Sequence, residues 1–358
     1  MLYKLSDIFN LQMGKTPSRD NNMYWKDANL PWVSIADLSK SQMYIENSKE
    51  MITNLAAKDT LMKCIPQDTV IMSFKLSLGK IAITKTPLYT NEAIMAFIDK
   101  KVIQIEPKYI YFLFRNIKWG QYTNNAVKGK TLNKKFFSDF QIYIPEYTQQ
   151  TKIASILIRI NEILEYKHSL IKAYDALIKS RFVEMFGDPN ASRTKYKLVP
   201  IHMVTDCMVP GRDKPKSFTG EIPWITINDL NINGYTNKSK LGLGLTIDEV
   251  KEVNRKCIPQ GSVLMSCVGN LGLCSIASVD VVINQQLHSY QCNKLINNLY
   301  LMYYLSFKNI YMNKIASSTT VLYMNKNACN NIPVLLPPIE LQISFAKYLN
   351  QINKLKFA

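Results

Sequence analysis

The chain has 358 residues and a mass of 41.1 kDa, with 47% apolar and 20% charged residues, 13 glycines and 15 prolines. That composition excludes wholesale disorder and collagen-like repeats, and it leaves room for two ordinary domains or one domain built twice. Lys and Arg number 44 against 27 Asp and Glu, a net charge of +17 that points to a polyanionic partner, most simply nucleic acid. No run reaches the ~18–20 apolar residues of a spanning helix, and the first residues lack the apolar core of a secretory signal, so a cytoplasmic protein without membrane contact is expected. The seven cysteines, an odd number without a C-x-x-C pair, fit reduced buried thiols better than a disulfide framework or zinc ribbon. Three scattered histidines, His168, His202 and His288, suggest no metal site.

In chain order, the elements come twice. A short β-rich run carrying Val33, Ile35 and Leu38 follows Pro31-Trp32 and returns 192 residues later as Pro223-Trp224-Ile225-Thr226-Ile227-Asn228-Asp229-Leu230. Cys64-Ile65-Pro66-Gln67 and a buried strand over 69–73 return as Cys257-Ile258-Pro259-Gln260 and 262–265, at an offset of 193. Gly79 and Gly272, Asn91 and Asn284, Asn133-Lys134 and Asn325-Lys326, Pro145 and Pro337, and Gln150 and Gln342 keep the register. One module is written twice. Trp32 and Trp224 read as core fillers, and Asp37 and Asp229 as turn or cap carboxylates.

Between the modules, residues 148–186 contain neither Pro nor Gly. Ile153, Leu157, Ile160, Leu164, Ile171, Tyr174, Ile178 and Met185 fall at steps of four and three, with Lys167 and Arg181 as polar interruptions, which predicts a heptad seam on one long helix. Such a rod measures roughly 58 Å at 1.5 Å per residue, and Gly187 with Pro189 stops it. Residues 340–357 restart the pattern through Leu341, Phe345, Tyr348, Leu349, Ile352 and Leu355 and supply a candidate partner helix. Both modules are basic, 20 basic against 13 acidic residues over 1–146 and 15 against 9 over 187–337, whereas the helix has 6 against 4. The two heads are therefore equipped to sit on phosphate, and the rod less so.

These residues resemble the DNA specificity subunit of type I restriction–modification systems. Gly14-Lys15-Thr16-Pro17-Ser18, Tyr24-Trp25, Pro31-Trp32-Val33-Ser34 and Asp37-Leu38 look like the opening of that family's target-recognition domain. The run from Cys64 to Ser73, then Gly79 and Thr90-Asn91, is similar to its middle. Pro337-Pro338-Ile339-Glu340-Leu341-Gln342, with a looser copy from Pro145 to Gln150, resembles the entry into its spacer helix, and Ser180 to Pro189 the end of that helix. The resemblance implies an α+β fold with two target-recognition domains, 1–147 and 188–338, a long spacer helix over 148–187 and a truncated second spacer helix over 339–358, paired as an antiparallel coiled coil. It also implies a non-catalytic subunit that binds double-stranded DNA and reads one half of a split target with each head. Two methyltransferase subunits using S-adenosylmethionine would dock on the helices, and restriction/translocase subunits using ATP and Mg would join them; no cofactor is expected in this chain.

Lys and Arg on phosphates should supply affinity, and polar side chains at base edges should supply specificity. In the first head the candidates are Lys15, Thr16 and Ser18 in the Gly14 loop, Lys75 and Lys80 flanking Gly79, and Lys128, Lys130, Thr131 and Asn133 before the rod. In the second head they are Arg212, Lys214 and Lys216 after Gly211, then Asn270, Gln285, Ser317, Ser318 and Thr319. The loop after Gly211 departs from its counterpart after Gly14, so the two heads should read different sequences. With a short second helix, the stripe of Ile153, Ile156, Leu157, Ile160 and Ile163 would lack a partner, which predicts self-association or completion of the coil by another subunit. Two rival readings have less support. An enzyme, a nuclease or methyltransferase with a fused specificity region, would need a catalytic site. The best nuclease lookalike is Asp229 with Glu249-Val250-Lys251, but no acidic residue stands at the place matching Glu249 in the first copy. A coiled-coil adaptor with protein-binding heads does not account for the basic charge on both heads.

Overall fold

A computed structural model describes residues 1–123, 132–191, 193–211, 213–318 and 321–357. The chain divides into two compact units, Met1–Tyr166 and Lys167–Ala358.

In the first unit a five-stranded sheet runs in the order Phe9–Met13, Ile94–Asp99, Val70–Ser73, Ile81–Thr84, Tyr44–Ile45. The pairs are antiparallel except the last, which is parallel. Beside it lies a three-stranded sheet, Glu50–Ile52, Leu30–Val33, Tyr89–Thr90. The second unit repeats the order and the directions with Thr205–Met208, Leu287–Cys292, Val263–Ser266, Cys274–Ala277 and Tyr235–Thr236. Its smaller sheet is Gly244–Leu245, Ile222–Ile225, Val282–Ile283. The duplication read from the sequence is thus a duplication of topology.

Each central strand is buried on both faces, which is why Val70–Ser73 and Val263–Ser266 read as continuous apolar runs. One face of each large sheet is covered by a helix, Pro107–Asn116 in the first unit and Asn298–Phe307 in the second. Trp32 and Trp224 are buried, as expected of core fillers. All seven cysteines are free. Among the described residues, no helix is long and apolar enough to cross a membrane.

One expectation is corrected. Ile35 and Leu38 do not continue a β-run; they lie on the helix Ile35–Lys40. The strand stops at Val33 because Ser34 and Asp37 form a capping box, the Asp37 carboxylate accepting from the Ser34 N–H at 2.9 Å while the Ser34 hydroxyl accepts from the Asp37 N–H at 3.4 Å. Thr226 and Asp229 do the same before the 3₁₀ turn Ile227–Asp229. Both aspartates are cap carboxylates.

The long helix spans Tyr147–Phe186, and Gly187 ends it in the left-handed region at φ +85°. Its apolar positions divide in use. In the first unit, Ala154 is buried and Leu157 and Ile158 are partly buried, packed on the core of that unit. In the second unit, Ile178, Phe182 and Phe186 are fully buried with Phe345, Leu349 and Ile352 of the helix Ile339–Phe357. The Phe182 and Phe345 rings meet at 5.3 Å, the Arg181 guanidinium lies 5.8 Å from the Tyr348 ring, and Lys356 pairs with Asp175 at 2.5 Å. Because rising numbers on one helix meet falling numbers on the other, the two run antiparallel. Seam positions Ile153, Ile160, Leu164 and Ile171 are instead 40–49% exposed, so the seam is not continuous along the helix.

Candidate nucleic-acid interface

Sheet register sets the candidate site. In the first unit Met13 pairs with Met95 and Ser73 pairs with Ile94, so the chain leaves the sheet at one end into three segments. These are the loop starting at Gly14, the loop 74–80 and the turn 91–93. Backbone bonds tie them together: Lys15 N–H to Thr90 C=O at 3.0 Å, Phe74 N–H to Ala93 C=O at 2.9 Å, and Leu132 N–H to Phe74 C=O at 3.0 Å. Gly14 passes so close that a Cβ there would lie 2.1 Å from the Thr90 carbonyl oxygen, a packing that only glycine permits. The loop 74–80 folds around Ser73, whose hydroxyl donates to the Ser77 carbonyl and accepts from the Lys80 N–H. Gly79 sits at φ +78° to complete the turn.

The second unit repeats the joinery of the loop 74–80 and the turn 91–93. Cys267 N–H bonds the Gln286 carbonyl at 2.9 Å, Met324 N–H bonds the Cys267 carbonyl at 2.9 Å, and Ser266 closes the loop 267–273 through the Asn270 carbonyl and the Leu273 N–H. The hairpin of Ser317–Ser318 with Leu322–Tyr323 joins the same end through Gly269 N–H to Leu322 C=O at 2.8 Å. Buried Arg255 donates to the Asp213 carbonyl at 2.6 Å and the Ile283 carbonyl at 2.8 Å, which holds the segment before Lys214 against this edge. Burial lowers the Arg255 pKa, and nearby Asp213 partly offsets that. The guanidinium also lies 5.0 Å from the Trp224 ring.

The structure therefore brings Lys15, Thr16, Lys75 and Lys80 to one sheet edge, and Asn270, Gln285 and Ser317 to the equivalent edge. Lys80 and Lys214 are exposed. Lys15 Nζ donates to the Thr60 carbonyl at 2.7 Å, at the C-terminal end of the helix Asn54–Asp59, and lines a cleft of about 700 Å³ with Lys63, Thr90 and Lys134. Lys75 Nζ lies 5.3 Å from the Phe74 ring, and Lys216 faces Glu252 at 3.9 Å. The Thr16 hydroxyl donates to Glu92. Ser18 is exposed and its carbonyl accepts from Trp25 Nε1 at 2.9 Å. Asn133 is committed elsewhere: its side-chain oxygen caps the helix Lys134–Asp139 at 2.8 Å, as Asn325 caps Lys326–Asn330. Lys128, Lys130, Thr131, Arg212 and Thr319 lie outside the described residues, and so does the side chain of Ser318.

The nuclease-like pair is also accounted for locally. Glu249 is held at a pKa of about 2, first by the Ser217 hydroxyl at 2.5 Å and then by the Thr246 and Thr219 N–H groups, so it pins the strand entry next to Lys216. Asp229 accepts from Thr226 and from the Lys240 N–H at 2.7 Å.

Sequence reasoning missed three features. Gln150 and Gln342 were visible as a recurrence, but their role was not. Each is fully buried and clips the start of its helix to its unit. Gln150 accepts from Glu106 N–H at 2.9 Å and donates to the Gln104 and Pro145 carbonyls; Gln342 accepts from Asn297 N–H at 2.8 Å and donates to the Leu295 and Pro337 carbonyls. Arg19 lies 4.0 Å from the Trp25 ring and 5.1 Å from the Trp32 ring while forking onto Glu50 at 2.5 and 2.9 Å. Lys63 and Lys134 complete the cleft beside Lys15. On the helix, Ile153, Ile156, Ile160 and Ile163 are 40%, 47%, 47% and 57% exposed, whereas Leu157 is half-buried against the first unit.

Residues 1–173 and 209–358 match the family model described as the type I restriction modification DNA specificity domain. The MjaIX type I restriction enzyme specificity subunit of Methanocaldococcus jannaschii is 28% identical over 189 residues, 52% of this chain and 43% of that protein. The EcoR124I/EcoR124II specificity subunit of Escherichia coli is 28% identical over 162 residues, 43% of this chain and 39% of that protein. The matched stretch spans less than half the length of either relative. A solved structure from work on complex assembly and conformational transition of the type I R-M system shares the fold, with a TM-score of 0.60 at 18% identity over 99% of this chain and 90% of that one.

Proposed function

We propose a function that proceeds from one fact: this chain belongs to the type I restriction–modification DNA specificity family. It is the sequence-reading subunit of such a system, and it binds double-stranded DNA through the loop-bearing edges of its two large sheets. The observation that carries this reading is the repetition of one hydrogen-bonded loop cluster at the same sheet edge in both units, with different side chains displayed on it. A shared frame with altered outward groups suits two readers of two different half-sites. The split target is asymmetric, one half to each unit.

The helix Tyr147–Phe186 runs unbroken from the first unit into the second and acts as the spacer. A second contact gains effective concentration only where the linker geometry lets both form at once, so affinity depends on half-site separation. Lys15, Lys75, Lys80, Lys214 and Lys216 serve phosphates; Asn270, Gln285 and Ser317 serve base edges. Two methyltransferase subunits using S-adenosylmethionine dock on the helices, and ATP- and Mg-dependent restriction subunits join them. The chain itself carries no catalysis and works in the cytoplasm. The exposed Ile153, Ile156, Ile160 and Ile163 take a helix from a second copy or from another subunit.

Mapping adenine methylation in host DNA with the gene present and deleted tests the reading. A split, asymmetric methylated motif should vanish on deletion; a methylation pattern that is identical in both strains contradicts it. Binding of the purified chain to the recovered motif should also weaken steeply as salt rises.

A further inference from the structure

The turn at the centre of each loop cluster has a constant frame and a variable tip. In the first unit Asn91 N–H bonds the Val33 carbonyl at 3.1 Å and its side-chain oxygen accepts from Ala93 N–H at 3.1 Å. In the second, Asn284 N–H bonds the Ile225 carbonyl at 3.0 Å and its side-chain oxygen accepts from Gln286 N–H at 3.0 Å. The residue after each asparagine is exposed: Glu92 in one copy, Gln285 in the other. Side chains presented from a frame this well fixed are held where recognition needs them.

Glu92 is an acidic side chain on the edge that the proposed function turns toward phosphate, and its charge also acts on Arg19. It stands among the loops carrying Lys15, Lys75 and Lys80, and a carboxylate there repels the DNA backbone unless a base edge or a neighbouring group uses it. In the major groove a carboxylate accepts from cytosine N4, whereas glutamine forms a bidentate pair with adenine N6 and N7. We infer that the turn tip is a base-reading position, Glu92 selecting cytosine in one half-site and Gln285 selecting adenine in the other. This deepens the proposed function and rests on it. The competing role for Glu92 is a latch, since it accepts from the Thr16 hydroxyl and so ties the Gly14 loop to the turn.

Glu92→Gln separates the two roles because it keeps the size of the side chain and an acceptor for Thr16. The full chain is used to select duplexes from a library with randomised base pairs, and the bound fraction is sequenced. The wild-type chain should return two blocks of preferred bases. Glu92→Gln should move one position of one block from cytosine to adenine by about tenfold or more, with the other block and the melting temperature unchanged. Gln285→Glu should make the reciprocal change in the other block. Unaltered blocks in both variants overturn the inference, and so does a uniform loss of binding with a lowered melting temperature, the signature of a latch. A wild-type chain that selects no motif refutes the DNA reading itself, and the inference falls with it.

Discussion

The two units hold one hydrogen-bond frame and fill it differently. Behind the loop cluster of the first, Phe74 and Phe137 pack edge to face at 6.1 Å; the equivalent positions in the second are Cys267 and Cys329, both buried. Trp32 meets Arg19, which comes from the loop after Gly14, while Trp224 meets Arg255, which comes from an unrelated stretch. Met95 in the first core corresponds to His288 in the second, opposite Met72 and Met265 in the strand register. Backbone partners fixed by geometry have stayed, whereas core fillers and cations have been exchanged for others that do the same job. A frame that tolerates such exchange can also change the groups it displays outward.

The comparison can be broken at its strongest joint first. The second unit alone packs the helix Ile339–Phe357 against the long helix, and Phe345 is fully buried among Phe182, Phe186 and Tyr303. Phe345→Ala should cost about 3–5 kcal/mol in urea unfolding and raise amide exchange in the second unit while leaving the first protected. A loss confined to the first unit would contradict the packing.

Proton sensitivity should divide the units next. Burial lowers the His288 pKa to about 4; the Asn330 hydrogen bond at 3.1 Å opposes the shift and the Lys326 charge adds to it. A folded-state pKa below the unfolded value of about 6.5 means that the contribution is present above pH 6.5 and is lost as pH falls toward 4, on the order of 3 kcal/mol by pH 4. Stability measured across that window should drop through the second unit, and His288→Met, which installs the residue of the first copy, should flatten the curve. An unchanged slope in that variant would refute the assignment.

The glutamine clips sharpen the comparison instead. Gln150→Leu and Gln342→Leu each strand a buried N–H and two carbonyls, a cost of about 2–3 kcal/mol. Equal costs are expected from equivalent clips, and a neutral result at either position would show that the two helix entries are not alike.

Much of this was legible because the frame needs particular residue types. Asn91 with Asn284, and Gln150 with Gln342, recur because a side-chain-capped turn and a buried clip each admit few substitutes, and Gly14 stood out because its close approach admits only glycine. Ile35 and Leu38 are helical because the Ser34–Asp37 capping pattern, present in the sequence, overrides the β-like apolar spacing. The heptad steps found the long helix, and the short second helix pointed to the uncovered half, where Ile153, Ile156, Ile160 and Ile163 are exposed. What the spacing did not show is that Leu157 packs on its own unit. Arg19 and Arg255 were beyond reach: they serve equivalent tryptophans from positions that no repeat alignment matches.

The central claim, two DNA readers tied at a set separation by one helix, is tested most directly by selecting duplexes with two randomised windows whose spacing varies across the library. Two different base blocks at a single preferred spacing are predicted. One block alone, or two blocks recovered equally at every spacing, would contradict the account.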